Sequence, residues 1–389
     1  MGVNDYSDIE RFNIDESSGS GSLSPFTFIC VVTVLILYGL LMLYSASYPE
    51  AIMHGLAHYY YVLRQAIFAL AGIAFAVVLN FIPTKWIKYL SLPLLVVSAI
   101  LMLLTLFTPY GVTVLGARRW LDLPLLPQFQ PSELVKLSTI LFLSWWFSDK
   151  RFKVYMGWYY VVPLFIIILF ALLIVAGKAY TTTILFLLTA LTLCVAGKLK
   201  LRYIFAFMAF LAVPGIFLLL SESYRVKRIA SFLIPSLDPQ GLNWQVNMSL
   251  SAISEGGFFG KGLGNGIYKL GLLPEVQNDF IFSSIAEECG LASILFIFSL
   301  FILFAILGTR AAKRIASKDK FLSNLAMGIT AMIIYQVIIN VAVVTGLLPP
   351  TGIPLPFFSQ GGTNNFVVIA ECGLLYRVIR EAAEVGKAK

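Results

Sequence analysis

The stretch FTFICVVTVLILYGLLMLYSAS, residues 26–47, carries no charged side chain and is long enough to cross a lipid bilayer as a helix. Similar apolar runs recur along most of the 389-residue chain, which is 59% hydrophobic and 12% charged, with a mean hydropathy of +0.86. A soluble domain of this length would carry about a quarter charged residues. The sequence therefore predicts an all-α polytopic membrane protein. Uninterrupted runs of this length exclude a transmembrane β-barrel, whose strands alternate over about ten residues.

About ten apolar stretches are predicted to be transmembrane helices. Their approximate ranges are 26–47, 61–82, 88–108, 131–148, 158–176, 179–196, 203–221, 286–308, 323–345 and 363–380. Basic residues concentrate in the loops that follow even-numbered spans: Lys85, Lys88, Lys150, Arg151, Lys153, Lys198, Lys200, Arg202 and the run TRAAKRIASKDK at 309–320. By the positive-inside rule these loops are cytoplasmic, which places both termini in the cytoplasm.

Four longer segments are then predicted to face outward: 48–60, 109–130, 222–285 and 346–362. The largest is the extracytoplasmic loop between helices 7 and 8, and loops of that length are uncommon unless they are functional. The transmembrane domain is predicted at 25–380, with a cytoplasmic tail at 381–389. Residues 1–24 are polar and acidic and lack the basic start of a signal peptide, so we expect a disordered cytoplasmic tail there.

Charge, cysteine and histidine patterns argue against several other classes of protein. The net charge is +8, but the basic residues lie in short loops between spans, so no nucleic-acid partner is expected. The four cysteines show no CxxC spacing and are interpreted as ordinary small core residues. His54 and His58 have helical metal-ligand spacing, but no third ligand lies nearby, so no metal site is expected.

The segment LPEVQNDFIFSSIAEE, residues 273–288, brings carboxylates into an otherwise apolar region. Asp279 lies between a proline and an aromatic run, and it is either a solvated loop carboxylate or a catalytic base. A carboxylate held at an apolar interface has a raised pKa, which suits a general base. Glu287 and Glu288 begin the next span, where they are either functional or complements of the helix dipole. Both questions stay open at this point.

The glycine-rich stretch GGFFGKGLGNG, residues 256–266, resembles a phosphate-binding loop only superficially. Glu255 stands where the first glycine of that motif belongs, and Gly262 follows Lys261 in place of Ser or Thr. One interpretation is a flexible, turn-rich loop. Another is that its exposed backbone N–H groups help to cradle a phosphate.

Cations on the predicted outward side point to an anionic ligand. Arg118, Arg119, Glu133 and Lys136 occur in GARRWLDLPLLPQFQPSELVKL at 116–137, and Arg64 opens the second span. Glu133 and Lys136 are one helical turn apart and would pair with each other, although Lys136 could equally serve a ligand anion. An interfacial arginine such as Arg64 more often snorkels than binds.

A second outward segment, TGLLPPTGIPLPFFSQGGTNN at 345–365, is dense in proline and glycine. Non-helical backbone at membrane depth is tolerated only where it lines a cavity or is buried in protein. Together, these segments predict an outward-facing polar cavity with apolar walls. Such a cavity suits an amphiphilic anion such as a lipid-linked phosphate.

Several long motifs resemble those of the SEDS family of bacterial cell-wall proteins, the RodA and FtsW group. The matching stretches are GLLMLYSAS (39–47), RQ (64–65), GARRW (116–120), QPSELVKL (130–137), QVNMSLSAISEGGFFGKGLG (245–264), LPEVQNDFIFSSIAEECG (273–290) and LPPTGIPLPFFSQGG (348–362). They occur in family order from about residue 26 to 380.

This resemblance implies a ten-helix fold and a glycosyltransferase of the bacterial cytoplasmic membrane that polymerises lipid II. The family's catalytic aspartate falls on Asp279. It would take the proton from the GlcNAc 4-hydroxyl of an acceptor, and that oxygen would attack C1 of the donor MurNAc. Undecaprenyl pyrophosphate would leave, and the α-linked donor would become a β-1,4 bond.

The resemblance also implies roles for the other charged residues. Developing charge on the pyrophosphate needs cations, and the candidates are Arg64, Arg118, Arg119, Lys136 and a divalent ion such as Mg²⁺ or Mn²⁺. Glu133, Glu287 and Glu288 would fix those cations or the loop. Lys261, Ser359, Gly361 and Gly362 complete the candidate substrate-binding residues.

Three departures from the family pattern limit this transfer of roles. Gln277-Asn278 replaces the usual His-Thr before Asp279, so a histidine there cannot be essential in this chain. The junction between the fifth and sixth spans reads Lys178-Ala179-Tyr180, without the family's acidic residue. The segment at 359–364 is SQGGTN, a milder change.

Family members work with a class B penicillin-binding protein, so this transpeptidase is the expected partner, with lipid II as substrate. The polar N-terminal tail and YRVKRIASFLIP at 224–235 favour a division-type over an elongation-type member. Two other functions are weighed: a lipid II flippase, whose site should lie near the bilayer midplane, and a non-enzymatic scaffold, in which Asp279→Asn would leave function intact.

Overall fold

The computed structural model describes residues 24–114, 116–124, 127–149, 156–200, 202–204, 206–207, 209, 232, 242–350 and 352–387. These residues are mostly helical. The helices, numbered in chain order, are α1 (Pro25–Met53), α2 (Tyr60–Phe81), α3 (Thr84–Phe107), α4 (Pro131–Ser148), α5 (Met156–Ala176), α6 (Tyr180–Ala196), α7 (Leu242–Gly256), α8 (Ile281–Ile315), α9 (Lys320–Val344) and α10 (Gly362–Lys387).

Membrane-length helices dominate the described part of the chain. Six of its helices, namely α1, α2, α3, α5, α8 and α9, are long and apolar enough to cross a bilayer, and α6 is apolar but shorter. Nine of the predicted spans coincide with described helices. Most of the predicted span 203–221 and nearly all of the tail 1–24 lie outside the described residues. The count of ten spans and the orientation of the termini stay predictions.

Local sequence explains where two of these helices begin. Ser24 accepts a hydrogen bond from the N–H of Thr27 at 3.2 Å, with proline at the first position of α1. Asp319 caps α9 through the N–H of Phe321 at 2.8 Å and also pairs with Lys88 of α3 at 2.8 Å. One carboxylate therefore both starts α9 and ties it to α3.

The last helix packs closely against α2 because both helices present small residues. A Cβ added at Gly373 of α10 would lie 2.4 Å from the Cβ of Ala76, and one at Gly72 of α2 would lie 3.1 Å from that of Ile369. Membrane helices use such small residues to bring backbones together, since lipid supplies no hydrophobic drive between them. This packing places the start of α10 beside the start of α2.

Segments predicted to share the outward side meet at one end of the bundle. Gln65, near the start of α2, bonds to Ser359 and Gly361, and Ser45 of α1 bonds to Lys269 of the large loop. The Lys88–Asp319 pair lies between segments predicted to share the other side. The contacts agree with the predicted grouping of loops; which group faces outward stays a prediction.

Three features were not predicted from the sequence: a β-hairpin, a short helix and a π-helical turn. Strands β1 (Gly111–Val114) and β2 (Ala117–Leu121) form an antiparallel hairpin within 109–130, turning at Gly116 with φ +75°. Helix α7 and a π-helical turn at Tyr268–Leu272 lie within the 222–285 loop. Their short, mixed polar and apolar sequences carry no strong periodicity, which is why all three were interpreted as loop.

Candidate functional site

Asp279 lies in a turn immediately before α8. Its N–H and that of Asn278 both donate to the carbonyl of Glu275, at 3.2 and 3.0 Å. Phe280 and Ile281 follow and are buried, so the chain is anchored on the apolar side of the half-buried aspartate. The position at an apolar boundary is the one that the sequence predicted.

The proline-rich segment folds into the protein beside this turn. Leu355 and Phe358 are buried, and the hydroxyl of Ser359 accepts from the N–H of Leu355 at 2.8 Å. The N–H of Leu355 is therefore paired within the protein, as the predicted depth of this segment requires. At Gly352, a Cβ would lie 3.3 Å from Oδ2 of Asp279, so the carboxyl group faces this segment. We call residues 345–361 the re-entrant segment.

The candidate residues Ser359, Gly361 and Gly362 lie where the re-entrant segment meets α2 and α10. Gln65 donates to the carbonyl of Ser359 at 2.9 Å and accepts from the N–H of Gly361 at 3.2 Å. A Cβ at Gly362 would lie 2.5 Å from the ring of Phe68, so α10 begins pressed against α2. Gln65 was noted in the sequence only as part of a motif, and the structure gives it this bridging role.

Glu287 and Glu288 are fully buried and hold the large loop. Glu287 accepts from the N–H groups of Ile267 at 2.7 Å and Tyr268 at 3.3 Å, and from Lys261 Nζ at 3.1 Å. Hydrogen bonds to several N–H groups are what a buried carboxylate needs to offset its desolvation. The contacts agree with the role that the family resemblance implied, namely fixing the loop and its cations; the choice between function and the helix dipole stays a prediction.

Glu288 makes a parallel set of contacts. It accepts from the N–H of Gly264 at 2.9 Å, from the hydroxyl of Ser45 at 2.6 Å and from Lys269 Nζ at 2.6 Å. Lys269 also donates to Ser45 at 2.8 Å. Ser45 and Lys269 were missed in the sequence, although a lysine in the apolar stretch YKLGLL needs an anionic partner and carboxylates follow it closely.

A break in α8 lets the glycine-rich loop enter the helix. Gly290 has φ +68° and ψ −171°, and the N–H groups of Leu291 and Ala292 bond to carbonyls of Gly257 and Phe258. The helical carbonyls that those groups would have served belong to Glu287 and Glu288. They accept instead from the N–H groups of Lys261 and Gly262, both at 2.9 Å.

These contacts correct both interpretations of the GGFFGKGLGNG loop. It is built into α8, with close approaches that only glycine allows: a Cβ at Gly260 would lie 2.2 Å from the carbonyl oxygen of Glu288. The N–H groups of Lys261, Gly262 and Gly264 serve protein acceptors. They are therefore not presented to a phosphate.

Lys261 pairs with Glu255 as well as with Glu287. The hydrogen bond from Lys261, reinforced by one from the hydroxyl of Tyr268 at 2.6 Å, holds the pKa of the Glu255 carboxyl below its usual range. Glu255 was noted in the sequence only for breaking a phosphate-loop motif. Its structural role is to fasten the end of α7 to the loop.

Glu133 and Lys136 pair with each other, the simpler of the two interpretations from the sequence. Their charged atoms are 2.9 Å apart, and both residues are buried at the start of α4. Asn364 of α10 also donates to Glu133 at 2.7 Å. The pair therefore joins α4 to α10 instead of facing solvent.

The three arginines lie in different settings. Arg118 donates to the carbonyl of Thr108, and Arg119 donates to the carbonyl of Lys178 at 3.0 Å, so both dock the β-hairpin onto neighbouring segments. Arg64 is exposed. It lies within electrostatic range of Tyr61, as does Glu275. Arg64 and Glu275 of the Asp279 turn therefore both act on the same tyrosine.

The described residues bring together no three His, Cys, Asp or Glu side chains that would hold a metal ion. The divalent ion among the predicted candidates therefore has no ready set of ligands in this part of the chain.

Comparison with known proteins shows which family this chain resembles. Residues 26–384 match the family described as cell cycle protein and named for FtsW, RodA and SpoVE. A probable peptidoglycan glycosyltransferase FtsW from Borreliella burgdorferi is 36% identical over 355 residues, covering 90% of this chain and 95% of that one. Stage V sporulation protein E of Bacillus subtilis is 36% identical over 362 residues, covering 92% and 97%.

Solved structures show the same fold. A chain from the structure reporting coordination of polymerization and crosslinking by a peptidoglycan synthase complex aligns with a TM-score of 0.76 and 25% identity, covering 92% of this chain and 98% of that one. The Thermus thermophilus rod shape determining protein RodA aligns with a TM-score of 0.66 and 22% identity, covering 92% and 96%.

Proposed function

This chain belongs to the FtsW, RodA and SpoVE family, and on that basis we propose that it is a peptidoglycan glycosyltransferase that polymerises lipid II. It is a multi-pass protein of the bacterial cytoplasmic (inner) membrane, as the six membrane-length helices among its described residues and its family indicate. The observation that carries the proposal is the placement of Asp279, whose carboxyl group faces the re-entrant segment at Gly352.

Under this proposal, Asp279 is the general base of a single displacement. Its carboxylate takes the proton from the 4-hydroxyl of the acceptor GlcNAc as that oxygen bonds to C1 of the donor MurNAc. The bond from C1 to the pyrophosphate oxygen breaks, undecaprenyl pyrophosphate leaves with the electron pair, and the α-linked donor becomes a β-1,4 linkage. One carboxylate serves this step, because the acceptor and the leaving group lie on opposite faces of the donor sugar.

The cations divide into two groups under the same proposal. Arg64 is exposed and shares the surroundings of Tyr61 with Glu275 of the Asp279 turn, which suits direct contact with the pyrophosphate. Lys136 is buried against Glu133, and Arg118 and Arg119 serve backbone carbonyls, which suits support of the walls around the substrate. Lys261, with Glu287, holds the loop beside α8.

A class B penicillin-binding protein is the proposed partner, which would crosslink the strand as it is made. The likeness to a chain of a peptidoglycan synthase complex supports this pairing. A flippase gains no such support, since the curated relatives carry glycosyltransferase names.

A reconstituted assay tests the proposal. The full chain is purified with its candidate transpeptidase and given labelled lipid II, and glycan products are separated by length. We expect a ladder from the wild type and from Glu275→Gln, which changes an exposed carboxylate of the same turn, and no ladder from Asp279→Asn. If no variant forms a ladder while lipid II crosses liposome membranes, the flippase replaces the enzyme.

A further inference from the structure

Asn340 of α9 joins the Asp279 turn to the re-entrant segment. Its side-chain nitrogen donates to the carbonyl of Asp279 at 2.9 Å and to the carbonyl of Ile353 at 2.8 Å. Two carbonyls cannot bond to each other, so a group with two hydrogens must stand between them. A side-chain amide is the neutral group that supplies two such hydrogens from one nitrogen.

The burial of Asn340 makes this contact costly to lose. It is 1% exposed in a membrane-length helix, where a polar side chain is retained only with partners. Loss of the amide would leave two carbonyls of non-helical backbone without this donor. The two segments would then separate or rearrange at the point where Gly352 meets the Asp279 carboxyl.

The same face of α9 extends the connection. Gln336, one helical turn before Asn340, donates to the carbonyl of Pro354 at 2.9 Å and to Asn364 at 3.3 Å. Asn364 in turn donates to Glu133 of the buried Glu133–Lys136 pair. Two side-chain amides four residues apart on α9 therefore donate to consecutive carbonyls of the re-entrant segment. The buried Glu133–Lys136 pair holds Asn364, the last residue of this chain of contacts.

A separate backbone contact lies beside this one. The N–H of Gln360 donates to the carbonyl of Gln277 at 2.8 Å, two residues before Asp279. This contact reports whether the re-entrant segment is seated without involving either Asn340 or Asp279.

We propose that Asn340 is a positioning residue for the transfer reaction: it fixes the backbone of Asp279 against the re-entrant segment and so sets where the base carboxyl stands. The inference rests on the proposed glycosyltransferase function. It assigns Asn340 no contact with the substrate, so its loss should reduce turnover more than substrate affinity.

The test compares three single variants in the reconstituted complex. Because a misplacement of about 1 Å can cost about a hundredfold in rate, we expect Asn340→Leu to lower kcat by roughly 30- to 100-fold with KM within about threefold. Asn340→Gln keeps both hydrogens on a longer stem and should recover part of the loss. Asn324→Leu changes a buried asparagine of the same helix about 24 Å away and should leave kcat within about twofold.

A second readout does not depend on activity. Cys30, Cys194, Cys289 and Cys372 are replaced by Ala, and the pair Gln277→Cys and Gln360→Cys is added as a disulfide reporter. The rate of disulfide formation should fall severalfold when Asn340→Leu is introduced and stay unchanged with Asn324→Leu.

The outcomes separate this inference from the proposed function. Turnover by Asn340→Leu within twofold of wild type, or an equal loss in Asn324→Leu, overturns the positioning role. If the wild type forms no glycan, the proposed function fails, and the cross-linking rate alone decides whether Asn340 seats the segment. An unchanged rate then overturns the inference.

Discussion

Replacing Lys269 with methionine should release the loop that packs on α8. Lys269 is buried, and its ammonium lies 2.6 Å from Glu288, which is itself 1% exposed. Removing one partner of a buried ion pair costs about 3–5 kcal/mol, because the other charge stays buried without compensation. Ser45 and the N–H of Gly264 still bond to Glu288 in this variant, so we expect a cost at the lower end of that range.

The cost should appear as local opening of residues 257–272. Since about 1.4 kcal/mol is a factor of ten in an equilibrium, a loss of about 3 kcal/mol raises opening by roughly a hundredfold. Hydrogen–deuterium exchange of the wild type and Lys269→Met in detergent, read on peptides that contain Gly264, Ile267 and Tyr268, measures this ratio.

Lys261→Met is the matched control for that experiment. It also removes a cation from the loop, but its side chain is 28% exposed, and Glu287 keeps two backbone N–H donors. We expect a rise in exchange of about tenfold or less, because an ion pair open to solvent contributes little to stability. Exchange in Lys269→Met within threefold of the wild type would refute the buried-pair reasoning.

Three further predictions follow from other contacts. Gly260→Ala should lower the melting temperature well below that of Gly264→Ala: both positions have positive φ, but an added Cβ meets backbone at 2.2 Å only at Gly260 and has nothing within 4 Å at Gly264. Glu371→Met should raise the melting temperature. The Glu371 carboxyl group is 0% exposed and neither of its oxygens has a hydrogen-bond partner in the described chain, an arrangement that costs about 1–3 kcal/mol. An unchanged or lower melting temperature would contradict this. The lowered pKa of Glu255 means that the stability from its pairing with Lys261 is present above the ordinary value of 4.5 and is lost as pH falls through the lowered pKa. The protection factors of amides at the end of α7, which are corrected for the intrinsic pH dependence of exchange, should therefore stay constant from pH 7 to 5 and fall only in more acidic buffer.

The sequence predicted the helical scaffold well because apolar length alone determines a membrane span. The stretch at 26–47 became α1 with its boundaries shifted by a few residues, and the junction at 177–179 became a tight connection between α5 and α6. The hairpin at 111–121 and helix α7 were missed. Their short segments are stabilised by docking onto other elements, which hydropathy does not report.

Contacts between residues far apart in the sequence are the part of the site that could not be predicted. Asp279 could be identified from the residues that flank it, and the Glu133–Lys136 pair could be predicted from its helical spacing. The contacts of Glu288 with Ser45 and of Asn340 with Asp279 join residues 243 and 61 positions apart, which a single sequence does not encode locally. Two amides four residues apart in an apolar span, Gln336 and Asn340, were an available signal, since polar groups in such spans are expensive.

The carboxylate of Asp279 is tested most directly by measuring turnover and lipid II binding side by side in wild type, Asp279→Asn and Glu275→Gln. A general base that removes the proton of the acceptor hydroxyl in the rate-limiting step contributes about 10²- to 10⁴-fold to the rate. Asp279→Asn should therefore lose at least about a hundredfold in kcat, while its affinity for lipid II stays within about threefold of the wild type. Glu275→Gln should match the wild type in both. Turnover by Asp279→Asn within tenfold of the wild type would contradict a catalytic role for this residue.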